Sequence, residues 1–222
     1  MKLNSSCRKV RNMIVTRFCD NINLYLIQDQ TMALRQLKTL NRILETKQDV
    51  YLLGHIEPTS RSCSDIYGTL FRAVVAKHVD KIRGQFYGHT HQDQFVVNTD
   101  PRDNQTVTSF GLLAGSLTPL GTSLPRFRVF ELNNEFEITN YDDYFFDLKK
   151  SIWGKRYNFK EYYGLPIDQP VDGKMMKELQ DRILSDEENT GKFNAMVSLF
   201  ANGRRTACET FDCKEKEELC KG

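Results

Sequence analysis

The sequence has no excess of charge of either sign: 31 Lys and Arg stand against 29 Asp and Glu, for a net charge of +2. A chain without a broad basic field is not built for general nucleic-acid binding. No apolar run approaches the roughly 18 residues a membrane-spanning helix needs. Residues 1–7 hold no apolar stretch of the signal-peptide kind. Histidine is scarce, with four residues, and cysteine numbers six. Apolar residues are plentiful. At 40% of 222 positions they can build a sizeable core, in one large domain or one domain with a small appendage.

Periodicity orders the chain. Ala33, Leu34, Leu37, Leu40, Ile43 and Leu44 recur at three- and four-residue spacings and predict a helix over 30–47, with Asp29 as its N-cap. Val50-Tyr51-Leu52-Leu53 is apolar on both faces up to Gly54, as in a strand covered on both sides by helices. A stripe from Ile66 to Ile82 predicts a helix over 65–83 stopped by Gly84, followed by a short strand, Gln85-Phe86-Tyr87. Past residue 91, strands are expected over 94–98, 106–113, 126–132 and 135–142. Arg126-Phe127-Arg128-Val129-Phe130 alternates as a half-exposed antiparallel strand does. From about residue 149 the pattern turns aromatic and then helical, over 175–184 and 193–200. This order predicts a layered α/β domain whose strand ends deliver residues to a site.

Three histidines follow glycine at strand ends, in Gly54-His55 and Gly88-His89-Thr90-His91. Glycine permits a tight turn and leaves room for a ligand, and imidazole is the commonest metal ligand. Two histidines at i and i+2 leaving a strand suit two metals about 3.5–4 Å apart. His78 falls on the apolar side of a helix and reads as a structural, partly buried residue.

These motifs resemble those of the calcineurin-like metallophosphoesterases, in their C-terminal half. Tyr51-Leu52-Leu53-Gly54-His55-Ile56-Glu57-Pro58 is similar to the family's penultimate metal motif. The segment from Gln85 to Phe95, with Gly88-His89-Thr90-His91 at its centre, is similar to the last. Phe86, Asp93 and Phe95 bring it close to the acid sphingomyelinase branch, as do Leu3-Asn4-Ser5-Ser6-Cys7, Gln36-Leu37, Tyr162-Tyr163-Gly164-Leu165-Pro166 and the closing Cys208, Cys213 and Cys220. The resemblance implies the C-terminal half of a layered β-sandwich flanked by helices over 1–148, and a small helical, cysteine-containing subdomain over 149–222. It implies a metal-dependent phosphodiesterase with two Zn2+ per complete site. His55 and His89 would bind one zinc and His91 the other. Asp93 stands as a partner orienting a ligating histidine or as a solvated loop carboxylate. The substrate class implied is sphingomyelin, cleaved to ceramide and phosphocholine, or in other branch members phosphate esters such as nucleotides.

The family's earlier motifs, an Asp-x-His, a Gly-Asp-x-x-Asp and a Gly-Asn-His, are absent. Three imidazoles do not close a two-zinc site. The expectation is therefore a truncated product or C-terminal fragment, or else a catalytically silent relative. Tyr141, Tyr144, Phe145, Phe146, Trp153, Tyr157, Phe159, Tyr162 and Tyr163 read as core of the C-terminal subdomain, with a lipid-facing surface and peripheral membrane contact as the alternative.

No histidine stands near Cys208, Cys213 and Cys220, which argues against a zinc knuckle. By resemblance Cys7 pairs with Cys63 and Cys208 with Cys213, leaving Cys220 for Cys19 or for a cysteine past residue 222. Disulfides imply an oxidising compartment, and the family is secreted or lysosomal. The sequons at Asn4 and Asn104 agree with a glycoprotein.

Overall fold

The structure, a computed structural model, describes residues 12–16, 30–59, 65–100, 102–103, 105–119 and 124–197. The chain forms a mixed α/β fold with two sheets, as the α/β reading expects. The elements of the first sheet and its helices are β1 (Asn12–Thr16), α1 (Gln30–Thr46), β2 (Val50–Gly54), α2 (Asp65–Lys77), β3 (Ile82–Tyr87), β4 (Gln94–Thr99) and β5 (Val107–Leu113). Then come β6 (Arg126–Leu132), β7 (Ile138–Asp147), β8 (Ile152–Asn158), α3 (Phe159–Tyr163), α4 (Gly173–Ser185) and α5 (Glu187–Val197).

The first sheet has the order β1-β2-β3-β5-β4. Its strands β1, β2, β3 and β5 run parallel, and β4 returns antiparallel against β5. The second sheet is antiparallel, in the order β6-β7-β8. Alternation along β2 shows how the first sheet is covered. Val50 and Leu52 pack with Leu37, Leu40 and Leu44 of α1 and with Phe71 and Val75 of α2. Tyr51 points the other way, into a core shared with Leu112, with Ile138 and Tyr141 of β7, and with Met176 and Leu179 of α4. The strand is buried on both faces, but only one cover is the expected pair of helices.

Several expectations change. The second helix ends at Lys77, and Val79–Lys81 form a short 3-10 turn leading into β3. Gly84 is therefore not a stop signal but a strand residue. A Cβ there would lie 2.9 Å from Ile138 Cδ1, so its smallness serves close packing of β3 against Ile138 of β7. The region past 149 opens with a strand, β8, which pairs with β7. Helix α4 starts behind Asp172, whose carboxylate accepts from Met175 N–H at 2.8 Å. Helix α5 begins at Glu187, six residues before the expected start at 193. The aromatic stretch divides: Tyr141, Tyr157, Phe159 and Tyr163 are core, whereas Trp153 is 47% exposed. His78 lies just past α2, is buried as expected, and sets Nε2 3.0 Å from Asn41 Oδ1. The six cysteines, Asp29, the segment Leu3-Asn4-Ser5-Ser6-Cys7 and both sequon asparagines lie outside the described residues.

Two glycines give opposite expectations. Gly115→Ala places a methyl 2.7 Å from Nε of the buried Arg126, and overpacking of this kind costs about 1–3 kcal/mol. Gly191→Ala, inside α5 with open space around it, gains up to about 1 kcal/mol from helix propensity. Denaturant midpoints of the two variants check the difference in sign.

Candidate functional site

Parallel pairing of β2 with β3 sends both chains out at the same edge of the first sheet. That edge is the carboxyl end of the strands, where open α/β sheets bind ligands. His55 follows β2, and Gly88-His89 follows β3. The two exits are tied by the backbone, with Gly88 N–H donating to His55 O at 2.9 Å. The His55 and His89 imidazoles meet edge to face, with ring centroids 5.4 Å apart. Both are exposed, and His91 is half-buried.

The tight turn anticipated from glycine is made by the histidines themselves. His89 takes φ +66° and His91 φ +58°, whereas Gly88 has no positive φ. Left-handed backbone costs an L-residue roughly 1–2 kcal/mol. Strain of this kind persists only where the surroundings over-determine it, and it gathers at functional sites.

The surroundings are specific. Asp93, at the foot of β4, is buried, so it is not a solvated loop carboxylate. Its partners all come from the second sheet. Arg128 of β6 donates from Nη2 to Oδ1, Tyr157 of β8 donates its hydroxyl to Oδ2 at 2.8 Å, and Arg156 Nη1 lies 3.6 Å from Oδ2. Asp93 thus anchors the end of the histidine loop to the second sheet. Asp143 of β7 completes the cluster, 3.7 Å from Arg128 Nε and 3.7 Å from Arg156 Nη1. The Arg128 guanidinium also lies over the Tyr141 ring, 4.6 Å from its centroid. Arg156 extends the link by donating from Nη2 to Met196 O of α5 at 2.8 Å.

This cluster is what sequence reasoning missed. The alternation of β6 was legible, but its polarity is inverted. Arg126 and the Arg128 side chain are almost fully buried, and Val129 is 49% exposed. The usable signal was opposite charge at matched positions, since Arg128 is the register partner of Asp143.

A metal fits this arrangement only in part. His55 and His89 face each other, and His91 does not join them in a three-ligand group. Among the described residues no set of three or more His, Cys, Asp or Glu is placed to hold a metal ion. The described residues alone do not close a zinc site, which needs at least three protein ligands.

Comparison with known proteins agrees with the motifs. The chain is 29% identical over 171 residues to sphingomyelin phosphodiesterase B of Dictyostelium discoideum, covering 69% of this chain and 27% of that protein. It is 26% identical over 192 residues to sphingomyelin phosphodiesterase 1 of Caenorhabditis elegans, covering 80% of this chain and 34% of the relative. It is also 27% identical over 152 residues to the human cyclic GMP-AMP phosphodiesterase SMPDL3A, covering 60% and 33%. No family model matches. The chain is thus similar to the sphingomyelin phosphodiesterases, which by name are phosphoric diester hydrolases, and it spans between about a quarter and a third of the length of these relatives.

The buried cluster has a pH signature. Burial, and then the neighbouring Asp93 charge, push the Asp143 carboxyl up to about 6 from 3.8. Between about pH 4 and 6 the folded state holds this proton and the unfolded chain does not, so the contribution of Asp143 to stability falls as pH rises. Asp143→Asn removes that dependence. Thermal melts across pH 4–7 should show the wild type losing stability relative to the variant as pH climbs through 6.

Proposed function

We propose that this chain supplies the C-terminal part of a metal-dependent phosphodiesterase site, acting on sphingomyelin to release ceramide and phosphocholine. The observation that carries the reading is the facing pair His55 and His89 at the ends of adjacent parallel strands. A facing pair is the arrangement expected if His55 and His89 share one zinc; His91 is assigned to the second by the resemblance of the motif. Bound zinc supplies a hydroxide nucleophile at neutral pH and neutralises charge on phosphoryl oxygens. The remaining ligands come from outside the described residues, and the chain's own part is to hold its imidazoles in place.

A nucleotide phosphodiester is the second reading, favoured by the likeness to a cyclic GMP-AMP phosphodiesterase. Assignment to a secreted or lysosomal compartment, with disulfides and N-linked glycans, goes with either substrate.

Equilibrium dialysis against zinc tests the metal assignment on the chain itself. It should retain fewer than two tightly bound ions, and His55→Ala or His89→Ala should weaken retention about tenfold or more. Two tight ions per chain would refute the need for outside ligands, and unchanged retention in both variants would refute the ligand assignment. In the active protein, His89→Ala and His91→Ala should each abolish release of phosphocholine from sphingomyelin. Unchanged turnover in either sinks the catalytic reading.

A further inference from the structure

The β7–β8 hairpin presents a feature that the hydrolytic reading does not use. Leu148, Ile152 and Trp153 at its tip are 42%, 55% and 47% exposed. Lys149 and Lys150 sit between them, also exposed. Scattered surface apolar residues are ordinary, but three large ones gathered at one hairpin end around two lysines make that end amphipathic, with Ile152 and Trp153 leaving opposite faces of β8.

The tip is preordered. The Asp147 carboxylate accepts from the N–H groups of Lys149 and Lys150 at 2.9 and 3.1 Å, and Ser151 N–H donates to Asp147 O at 2.7 Å. Ser151 holds φ +54° to close the turn. Trp153 is braced from behind by Phe127, its ring edge-on at 4.8 Å between centroids. These side chains therefore lose little freedom on meeting a partner.

Charge selects the occupant. Asp147 is the only acid between residues 147 and 153, and its carboxylate is already engaged by the turn and by Lys150 Nζ at 3.4 Å. The tip is therefore cationic. A second copy docking through the same tip would bring like charges together. An anionic lipid surface meets every element of it. Indole settles at the headgroup level, leucine and isoleucine enter the acyl boundary, and lysine stems reach back to anionic headgroups. We propose that the β7–β8 hairpin tip is a contact for the surface of an anionic phospholipid bilayer. This inference does not depend on the hydrolytic reading.

Trp153 is the only tryptophan in the chain, so its fluorescence reports on the tip directly. Titration with vesicles of phosphatidylcholine containing phosphatidylserine should shift its emission to the blue and shield it from an aqueous quencher. Pure phosphatidylcholine vesicles should give a much smaller effect. Lys149→Glu combined with Lys150→Glu should weaken binding to the anionic vesicles tenfold or more, and Ile152→Ser should weaken it as well. These positions are exposed, and circular dichroism checks that each variant keeps the fold. An unchanged emission with anionic vesicles overturns the proposal, as does equal binding by the double lysine variant. A blue shift that depends on protein concentration without vesicles overturns it too, by showing a second copy on the tip.

Discussion

The Asp93 carboxylate is where the two sheets of this fold are tied together at the site. It stands two residues beyond His91, and its partners are Arg128 and Tyr157 of the second sheet. The first sheet brings His55 and His89 to one edge, but the loop that follows must still turn back into β4. Two histidines in left-handed backbone make that turn. At its start the loop is tied by the bond from Gly88 to His55, and at its end by Asp93. The geometry of the imidazoles therefore depends on a contact made by neither ring.

That contact is electrostatically expensive. Three guanidiniums, from Arg126, Arg128 and Arg156, share a buried region with the carboxylates of Asp93 and Asp143. Desolvating ions costs several kcal/mol each, so such clusters add little net stability compared with apolar packing. They punish rearrangement instead, because a slipped strand leaves a charge without its counterion. Here the punished rearrangement is a shift of β6 or β8 against the histidine loop. Like-charge crowding shows in the direction of the shifts. Burial and then Arg156 lower the Arg126 pKa, while burial and then Asp93 raise that of Asp143.

Much of the first sheet was legible in the sequence because its strands are short, apolar on both faces and punctuated by glycine. Val50–Gly54 falls where the pattern put it, as do the helix from Gln30 and the histidine motifs at the strand ends. The boundary at Gly84 was misread because a glycine that permits close packing looks like one that ends a helix. Strand β8 was missed because Trp153, Tyr157 and their neighbours read as core aromatics without a clear period. The association of His55 with His89 was implied by the family resemblance alone, and the parallel pairing of β2 with β3 is what brings their rings together. The arginine cluster was not, because arginine at alternate positions signals a wet face unless the opposing carboxylates are known. Those carboxylates sit 35 and 15 residues from Arg128 in the chain, and only the register joins them.

The inverted polarity of the second sheet connects its inner and outer faces. A strand alternates, so placing Arg126 and Arg128 inward forces Phe127 and Val129 outward. On β7 the same logic turns Asp143 toward the arginines, while Tyr144 stacks on Phe127 on the far side, with ring centroids 5.2 Å apart. Trp153 and Phe146 continue that aromatic shelf toward the hairpin tip. The polar interior that holds the histidine loop therefore leaves Phe127, Tyr144, Phe146 and Trp153 as an aromatic shelf on the outer face, beside the Asp142–Lys155 ion pair. At the hairpin end this shelf meets the exposed Leu148, Ile152 and two lysines, the chemistry on which the proposed anionic lipid contact rests. Anchoring the histidine loop and presenting the Trp153 shelf are then two consequences of a single alternation.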